Sequence, residues 1–224
     1  MGCTFRKMSR SDHRSPTKGQ SVCAVIWDFG NVLVQWDRRF LYDRLIPDSI
    51  TRDRFLSEVT NMKWNERFDR GEPLDQLIEE TILRHPEWDA GLIRAYDERW
   101  VETLGPLMGA SIDLLGLVSV PSYGLSNFAR TTFDRVSHRF TFLEHLKDFV
   151  LSGDVGLTKP DPAIFHLLIE RTGIESHTSL FIDDNAANIA AAASLGFATH
   201  HFLGAEGLAR ELAQLGLLSA TPEG

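Results

Sequence analysis

Cysteine is nearly missing from this chain: 224 residues contain only Cys3 and Cys23. That excludes a disulfide framework and a zinc cluster, and it fits a reducing, cytoplasmic setting. No apolar run reaches the roughly 18 residues of a membrane span, so no membrane partner is expected. Basic residues are outnumbered, with 23 Lys and Arg against 31 Asp and Glu and a net charge of -8. Such a balance excludes a chain-wide nucleic-acid footprint. Internal repeats are absent. The remainder is ordinary for a globular protein, 43% hydrophobic and 24% charged, and long enough for a core with a smaller inserted domain.

The first twenty residues stand apart. Arg6, Lys7, Arg10, Arg14 and Lys18 lie among serines, with Asp12 the sole acid. No apolar segment follows within that stretch, so it is not expected to act as a secretory signal. The start Met1-Gly2-Cys3 has Arg6 where a myristoylation pattern needs Ser or Thr. Residues 1–20 are expected to be a disordered basic tail, or to precede a true start at Met8.

Beyond the tail, Val22–Trp27 is a continuous apolar run, as in a strand buried on both faces of a parallel sheet. Similar runs occur at Ser122–Leu125, Phe149–Leu151, Leu180–Ile182 and Ala198–Phe202. Helical patterns separate the later ones, at Pro162–Arg171, Ala186–Leu195 and Ala205–Leu215. The alternation argues for βαβ units. Residues 37–104 contain no convincing strand. They carry one apolar stripe of Leu74, Leu77, Ile78 and Ile82 and another of Leu92, Ile93, Tyr96, Trp100 and Leu104, with Pro73 and Asp89 near the helix starts. The expected architecture is an α/β doubly wound parallel-sheet core, residues 21–36 and 105–218, interrupted by an all-helical insert at 37–104.

Ligands of open parallel sheets bind beyond the carboxyl ends of the strands. There the chain places Asp28, Gly30 and Asn31, then Ser126 and Asn127, then Lys159, then Asp183 and Asp184. Three neighbouring carboxylates repel one another and call for a cation. Magnesium favours one or two carboxylates supplemented by water and substrate phosphate. A carboxylate can also act as nucleophile. Lys159 would then offset charge on a transferring phosphoryl group, with Ser126 donating to one of its oxygens. Singly, each residue reads equally as a cap, a turn or a surface lysine; their order and common strand-end placement carry the inference.

These residues sit in Trp-Asp-Phe-Gly-Asn-Val-Leu, Leu-Ser-Asn, Thr-Lys-Pro-Asp-Pro and Phe-Ile-Asp-Asp-Asn, and in this order they resemble the haloacid dehalogenase-like hydrolases over about 22–217. The resemblance implies a Rossmann-like core with a mobile cap. It implies Asp28 as nucleophile and magnesium ligand, the Gly30 carbonyl and Asp184 as ligands, and Asp183 as a ligand directly or through water. Ser126, Asn127 and Lys159 would bind phosphate. The stretch from Asp28 to Asp37, with Trp64, Asn65, Asp69 and Gly71, resembles the bacterial α-D-glucose-1-phosphate phosphatase-like branch. That implies a small phosphorylated substrate, a sugar phosphate, with Trp64, Asn65, Asp69 and Arg70 as candidate contacts. A monomer or weak homodimer is expected.

The pattern departs in one place. Most phosphatases that it resembles carry a second Asp two residues after the nucleophile, for acid–base work; here that position is Gly30. Asp37 is one replacement, though it reads better as an N-cap. The rival readings are a non-catalytic phosphate-ligand or protein-binding module and a 2-haloacid dehalogenase, which would not need the paired acids. A phosphonoacetaldehyde hydrolase would need Lys63 as Schiff base. The kinase-like triplet Asp28-Phe29-Gly30 lacks a preceding strand lysine and catalytic loop.

Overall fold

The computed structural model describes residues 21–219, so the basic stretch 1–20 and Cys3 lie outside the described residues. Five strands form a parallel sheet: β1 (Ala24–Trp27), β4 (Ser122–Ser126), β5 (Asp148–Leu151), β6 (Ser179–Asp183) and β7 (Ala198–His201), in the order β5-β4-β1-β6-β7. Every residue of β1 and β6 is buried, which is why their sequences read as unbroken apolar runs rather than alternations. Alternate side chains still serve opposite faces. Val25, Trp27, Leu180 and Ile182 join one hydrophobic cluster, while Ala24, Ile26 and Phe181 join the other.

The chain winds outward from β1 through β4 to β5, then crosses β1 to add β6 and β7. Helix α9 (Pro162–Thr172) has Pro in its first turn and an Asp161 side chain that accepts from the Ala163 N–H. It buries Ile164, Phe165 and Leu168 against the same sheet face as Ile189 and Ala192 of α10 (Ala186–Ser194). Helices α6 (Gly109–Leu117) and α11 (Ala205–Gln214) cover the opposite face through Leu115, Leu208 and Leu212. This is the expected doubly wound α/β arrangement.

Between β1 and α6 the chain departs from the sheet. A short antiparallel ribbon, β2 (Val34–Trp36) with β3 (Leu104–Leu107), carries it out and back. Five helices lie between: α1 (Arg39–Leu45), α2 (Ser49–Glu58), α3 (Met62–Asp69), α4 (Leu74–Arg84) and α5 (Ala90–Glu98). Two ends follow local rules. The Asn61 side chain accepts from the Trp64 N–H at the start of α3, and Asp89 accepts from Gly91 at the start of α5. The stripe from Leu92 to Leu104 is not one helix, however. α5 stops at Glu98, a 3₁₀ turn covers Trp100–Thr103, and Leu104 opens β3. The Asp37 N–H bond to the Thr103 carbonyl, 2.9 Å, ties this return path to the outgoing chain, and the buried face continues through the change of backbone.

Packing directly beneath the strand ends is tight. A Cβ on Gly124 in β4 would lie 2.6 Å from the Phe29 ring and 2.7 Å from Cβ of Phe149, and Phe29 is itself fully buried. Gly124→Ala is therefore expected to destabilise the fold by about 1–3 kcal/mol through overpacking, read as a lower midpoint in urea with an unchanged slope. An unchanged midpoint would show that the Phe29 ring has room to move.

Candidate active site

Neighbouring strands β1 and β6 run in register with Trp27 beside Ile182, and the Asp28 N–H donates to the Ile182 carbonyl at 3.0 Å. Strand pairing alone therefore sets Asp28 next to Asp183, both buried, with half-buried Asp184 just beyond. One carboxylate oxygen from each of the three lies within 4.8 Å of the others.

Lys159 makes this tolerable. Its side chain is 1% exposed, and its ammonium has three protons to donate. All three have acceptors: the Leu125 carbonyl at 2.7 Å, Asp183 Oδ2 at 2.7 Å and Asp28 Oδ1 at 2.9 Å. Burial works to lower the pKa of this lysine, but Asp183 and Asp28 outweigh it and raise it above the ordinary value. Lys159 therefore stays charged. One ammonium does not balance three carboxylates. Burial pushes the Asp28 carboxyl up to about 8, with Lys159 pulling it down and Asp183 and Asp184 adding to the rise. Burial and the charge of Asp183 likewise raise Asp184.

The surplus of negative charge suits a cation, and the oxygens still available show which groups would hold it. Asp183 is saturated: Oδ1 accepts from the Asn185 N–H and Asn188, and Oδ2 from Lys159 and Asn188. Asp28 Oδ1 accepts from the Phe29 N–H at 2.7 Å and from Lys159, whereas its Oδ2 takes no hydrogen bond among the described residues. Asp184 Oδ2 accepts from Asn31 at 3.2 Å, and its Oδ1 is likewise without a donor. Asp184 Oδ1 and one lone pair of Asp28 Oδ2 can thus face a cation without a hydrogen bond being lost, and the other lone pair of Asp28 Oδ2 stays open. An all-oxygen set with two carboxylates fits magnesium. Gly30 lines the same cavity, and the space where its Cβ would stand is open.

The other strand-end residues divide their work. Asn127 pairs with the main chain of Lys159, accepting from its N–H at 2.8 Å and donating to its carbonyl at 2.9 Å. It holds Lys159 in place, and it also lines the cavity, with a second amide N–H that takes no acceptor among the described residues. Ser126 is buried and lines the cavity, and its hydroxyl has no hydrogen-bond partner among the described residues.

The cavity, about 390 Å³, is lined in part by the helical insert. Asn65 and Asp69 of α3 line it, as do Met62 and Tyr96. Trp64, expected to touch a substrate, lies outside the cavity lining: it is buried in the insert, its indole N–H donates to Thr81 at 2.7 Å, and its ring meets Tyr96 edge-on. Helical geometry turns Trp64 and Asn65 to different neighbours, a distinction that a pattern of residue types does not carry. Arg70 also stays outside the lining, reaching Glu66 and, at 3.0 Å, Thr158. Asp37 is exposed and caps the Arg39 N–H at 2.8 Å. Sequence reasoning placed Asn31 at a strand end without giving it a role, and it passed over Tyr96 and Asn188 as site residues. The φ of 56° at Asn31 is a backbone conformation that Asn tolerates better than most residues.

Residues 22–196 match the haloacid dehalogenase-like hydrolase family. Flavin mononucleotide hydrolase 1 of the Arabidopsis thaliana chloroplast is 26% identical over 238 residues, covering 94% of this chain and 91% of that protein. Among solved structures, a haloacid dehalogenase family enzyme from Bacteroides thetaiotaomicron, in complex with magnesium and inorganic phosphate, superposes with a TM-score of 0.64 at 20% identity, covering 81% of this chain and 94% of its own. An L-2-haloacid dehalogenase from Xanthobacter autotrophicus gives 0.59 at 19% identity, covering 89% and 85%. At such identities these structures speak for the fold. No helix among the described residues is long and apolar enough to cross a membrane.

Lys159→Met would leave Asp28 and Asp183 buried without their counter-charge. It is expected to cost about 3–5 kcal/mol of unfolding free energy in magnesium-free buffer, measured by urea titration. Unchanged stability would mean that the two carboxylates share a proton instead of relying on the ammonium.

Proposed function

The chain belongs to the haloacid dehalogenase-like hydrolases, and we propose that it is a magnesium-dependent phosphatase that moves the phosphoryl group of a small monoester onto Asp28 and then to water. The observation that carries this reading is the division of the Asp28 carboxylate. Oδ1 is held by Lys159 and the Phe29 N–H, while Oδ2 is left without a donor, in a residue that lines the cavity. A nucleophile fixed at one oxygen and open at the other is oriented for in-line attack.

The Ser126 hydroxyl is placed to donate to a phosphoryl oxygen. Lys159 keeps Asp28 in line and offsets its charge; Asn127 keeps Lys159 there. Magnesium, held by Asp28, Asp184 and the Gly30 carbonyl, would neutralise phosphate charge when bound. The insert at 37–104 acts as a cap that excludes water from the cavity, and residues 21–36 and 105–218 form the catalytic core. Asp184 with an open oxygen beside Asp28 supports phosphate chemistry over carbon–halogen cleavage, which has no use for a second carboxylate there. The same open oxygens support turnover over mere ligand holding.

Two substrate classes have support. Asn65 and Asp69 offer polar contacts to sugar hydroxyls, the class that the sequence motifs suggest. Trp36, Trp100, Leu104 and Phe128 give the cavity an apolar, largely aromatic wall, which suits a flat leaving group, and the Arabidopsis relative is named for hydrolysing flavin mononucleotide.

The protein is expected to hydrolyse p-nitrophenyl phosphate with magnesium and not with a chelator present. Asp28→Asn should lower the rate by about 10⁴–10⁶-fold, as loss of a nucleophile does. Turnover by Asp28→Asn near the native rate would remove Asp28 from the reaction. A panel containing sugar phosphates and flavin mononucleotide would then rank the two classes by kcat/KM.

A further inference from the structure

Transfer of a phosphoryl group to Asp28 leaves an oxygen anion on the departing alcohol, which needs a proton unless it is unusually stable. The described residues lining the cavity include no histidine, cysteine, glutamate or arginine. The Lys159 protons are all engaged. The Tyr96 hydroxyl donates to Asn65 Oδ1. Asp28 and Asp184 are given to attack and to the cation. One acid remains on the wall supplied by the insert. We infer that Asp69 is the general acid that protonates the leaving oxygen and the general base that then activates water, an assignment that rests on the phosphatase reading above.

The placement of Asp69 supports this. It ends α3, and its carbonyl accepts from Ser152 Oγ at 2.5 Å. The same Ser152 oxygen accepts from the Phe128 N–H at 2.8 Å, two residues past Ser126. On the other side, Arg70 reaches Thr158, the neighbour of Lys159, at 3.0 Å. Gly71, with φ of 96°, lets the insert approach so closely that a Cβ would stand 3.1 Å from the Gly153 carbonyl. The backbone at Asp69 is thereby tied to both loops that carry Ser126 and Lys159.

The carboxyl group is oriented as well. Because Asn65 Oδ1 takes the Tyr96 proton, the Asn65 amide nitrogen faces Asp69 and donates to its Oδ2 at 2.7 Å. Asp69 Oδ1 has no hydrogen bond among the described residues, and Asp69 lines the cavity. Burial raises the Asp69 carboxyl well above its ordinary value, Asn65 opposes the rise, and Glu66 on the same helix and Asp28, just after β1, add to it. Tyr96 from α5 is the other titratable group that feels Asp69. A carboxyl raised by its surroundings in this way is suited to give its proton to a departing oxygen.

The steps balance. Asp28 Oδ2 bonds to phosphorus as the ester P–O bond breaks, and the departing oxygen takes the Asp69 proton and leaves as an alcohol. Asp69, now a carboxylate, takes a proton from a water whose oxygen attacks phosphorus. The Asp28–phosphorus bond breaks, phosphate leaves, and Asp28 carboxylate and protonated Asp69 are restored.

The test compares phenyl phosphate with p-nitrophenyl phosphate, similar in shape but different in their need for a proton. Asp69→Asn keeps size and the Asn65 contact. It is expected to lower kcat/KM on phenyl phosphate by about 10²–10⁴-fold and on p-nitrophenyl phosphate far less, with an unchanged thermal transition. The native fall of kcat/KM on phenyl phosphate at rising pH, as Asp69 loses its proton, should vanish in the variant. Equal losses on both esters, or none on either, would overturn the assignment while leaving the phosphatase reading intact. A native protein silent on both esters and on the sugar-phosphate and flavin panel would overturn that reading, and this inference with it.

Discussion

Everything in the site depends on one buried ammonium. Lys159 meets three acceptors, each from the end of a different strand region: Leu125 in β4, Asp28 after β1 and Asp183 in β6. An unpaired charge at that depth would carry a desolvation cost of several kcal/mol, so the lysine and the strand order require one another. Only an arrangement with β1 between β4 and β6 brings those acceptors to a common point. The Asn127 clamp on the Lys159 backbone and the Asn188 bonds to Asp183 then hold the ammonium and its partner where they are.

The residual charge gives the site its character. With Asp183 saturated, the two carboxylates that keep open oxygens belong to residues that can share a cation, and one of them is the proposed nucleophile. The insert adds what the core lacks. Position 30 has no side chain and open space beside it, so any acid–base group must come from elsewhere, and Asp69 arrives on the helix that docks against Ser152 and Thr158. Under this reading, closing the insert and supplying the proton are one event: an open molecule would have its nucleophile but no acid. A solvent-filled site is thereby kept from wasteful chemistry.

Much of this architecture is legible in residue order. The central strands β1 and β6 stand out because each is buried along its whole length, and the acidic groups stand out because they come where such runs stop. The ribbon is harder to see. β2 has three residues, and β3 contains Gly105 and Pro106, neither of which favours a strand. The stripe ending at Leu104 shows that an apolar face can outlast the helix that begins it. Within the site, the polar residues at strand ends, Ser126 and Asn127 among them, could be picked out, but the partners that reach them from other elements could not. Asn188 lies on a helix, Asn31 in a turn and Tyr96 in the insert, and their contacts exist only after folding. Trp64 and Asn65 are adjacent in sequence yet differ in burial partners, which no spacing argument separates.

The most direct measurement traps the covalent intermediate. During turnover of p-nitrophenyl phosphate with magnesium, borohydride reduces an aspartyl phosphate to homoserine, which peptide mapping by mass spectrometry locates. The account predicts homoserine at position 28 and nowhere else, its yield rising when Asp69→Asn slows the attack of water. Homoserine at Asp69, Asp183 or Asp184, or none at position 28 while the ester is being consumed, would contradict it.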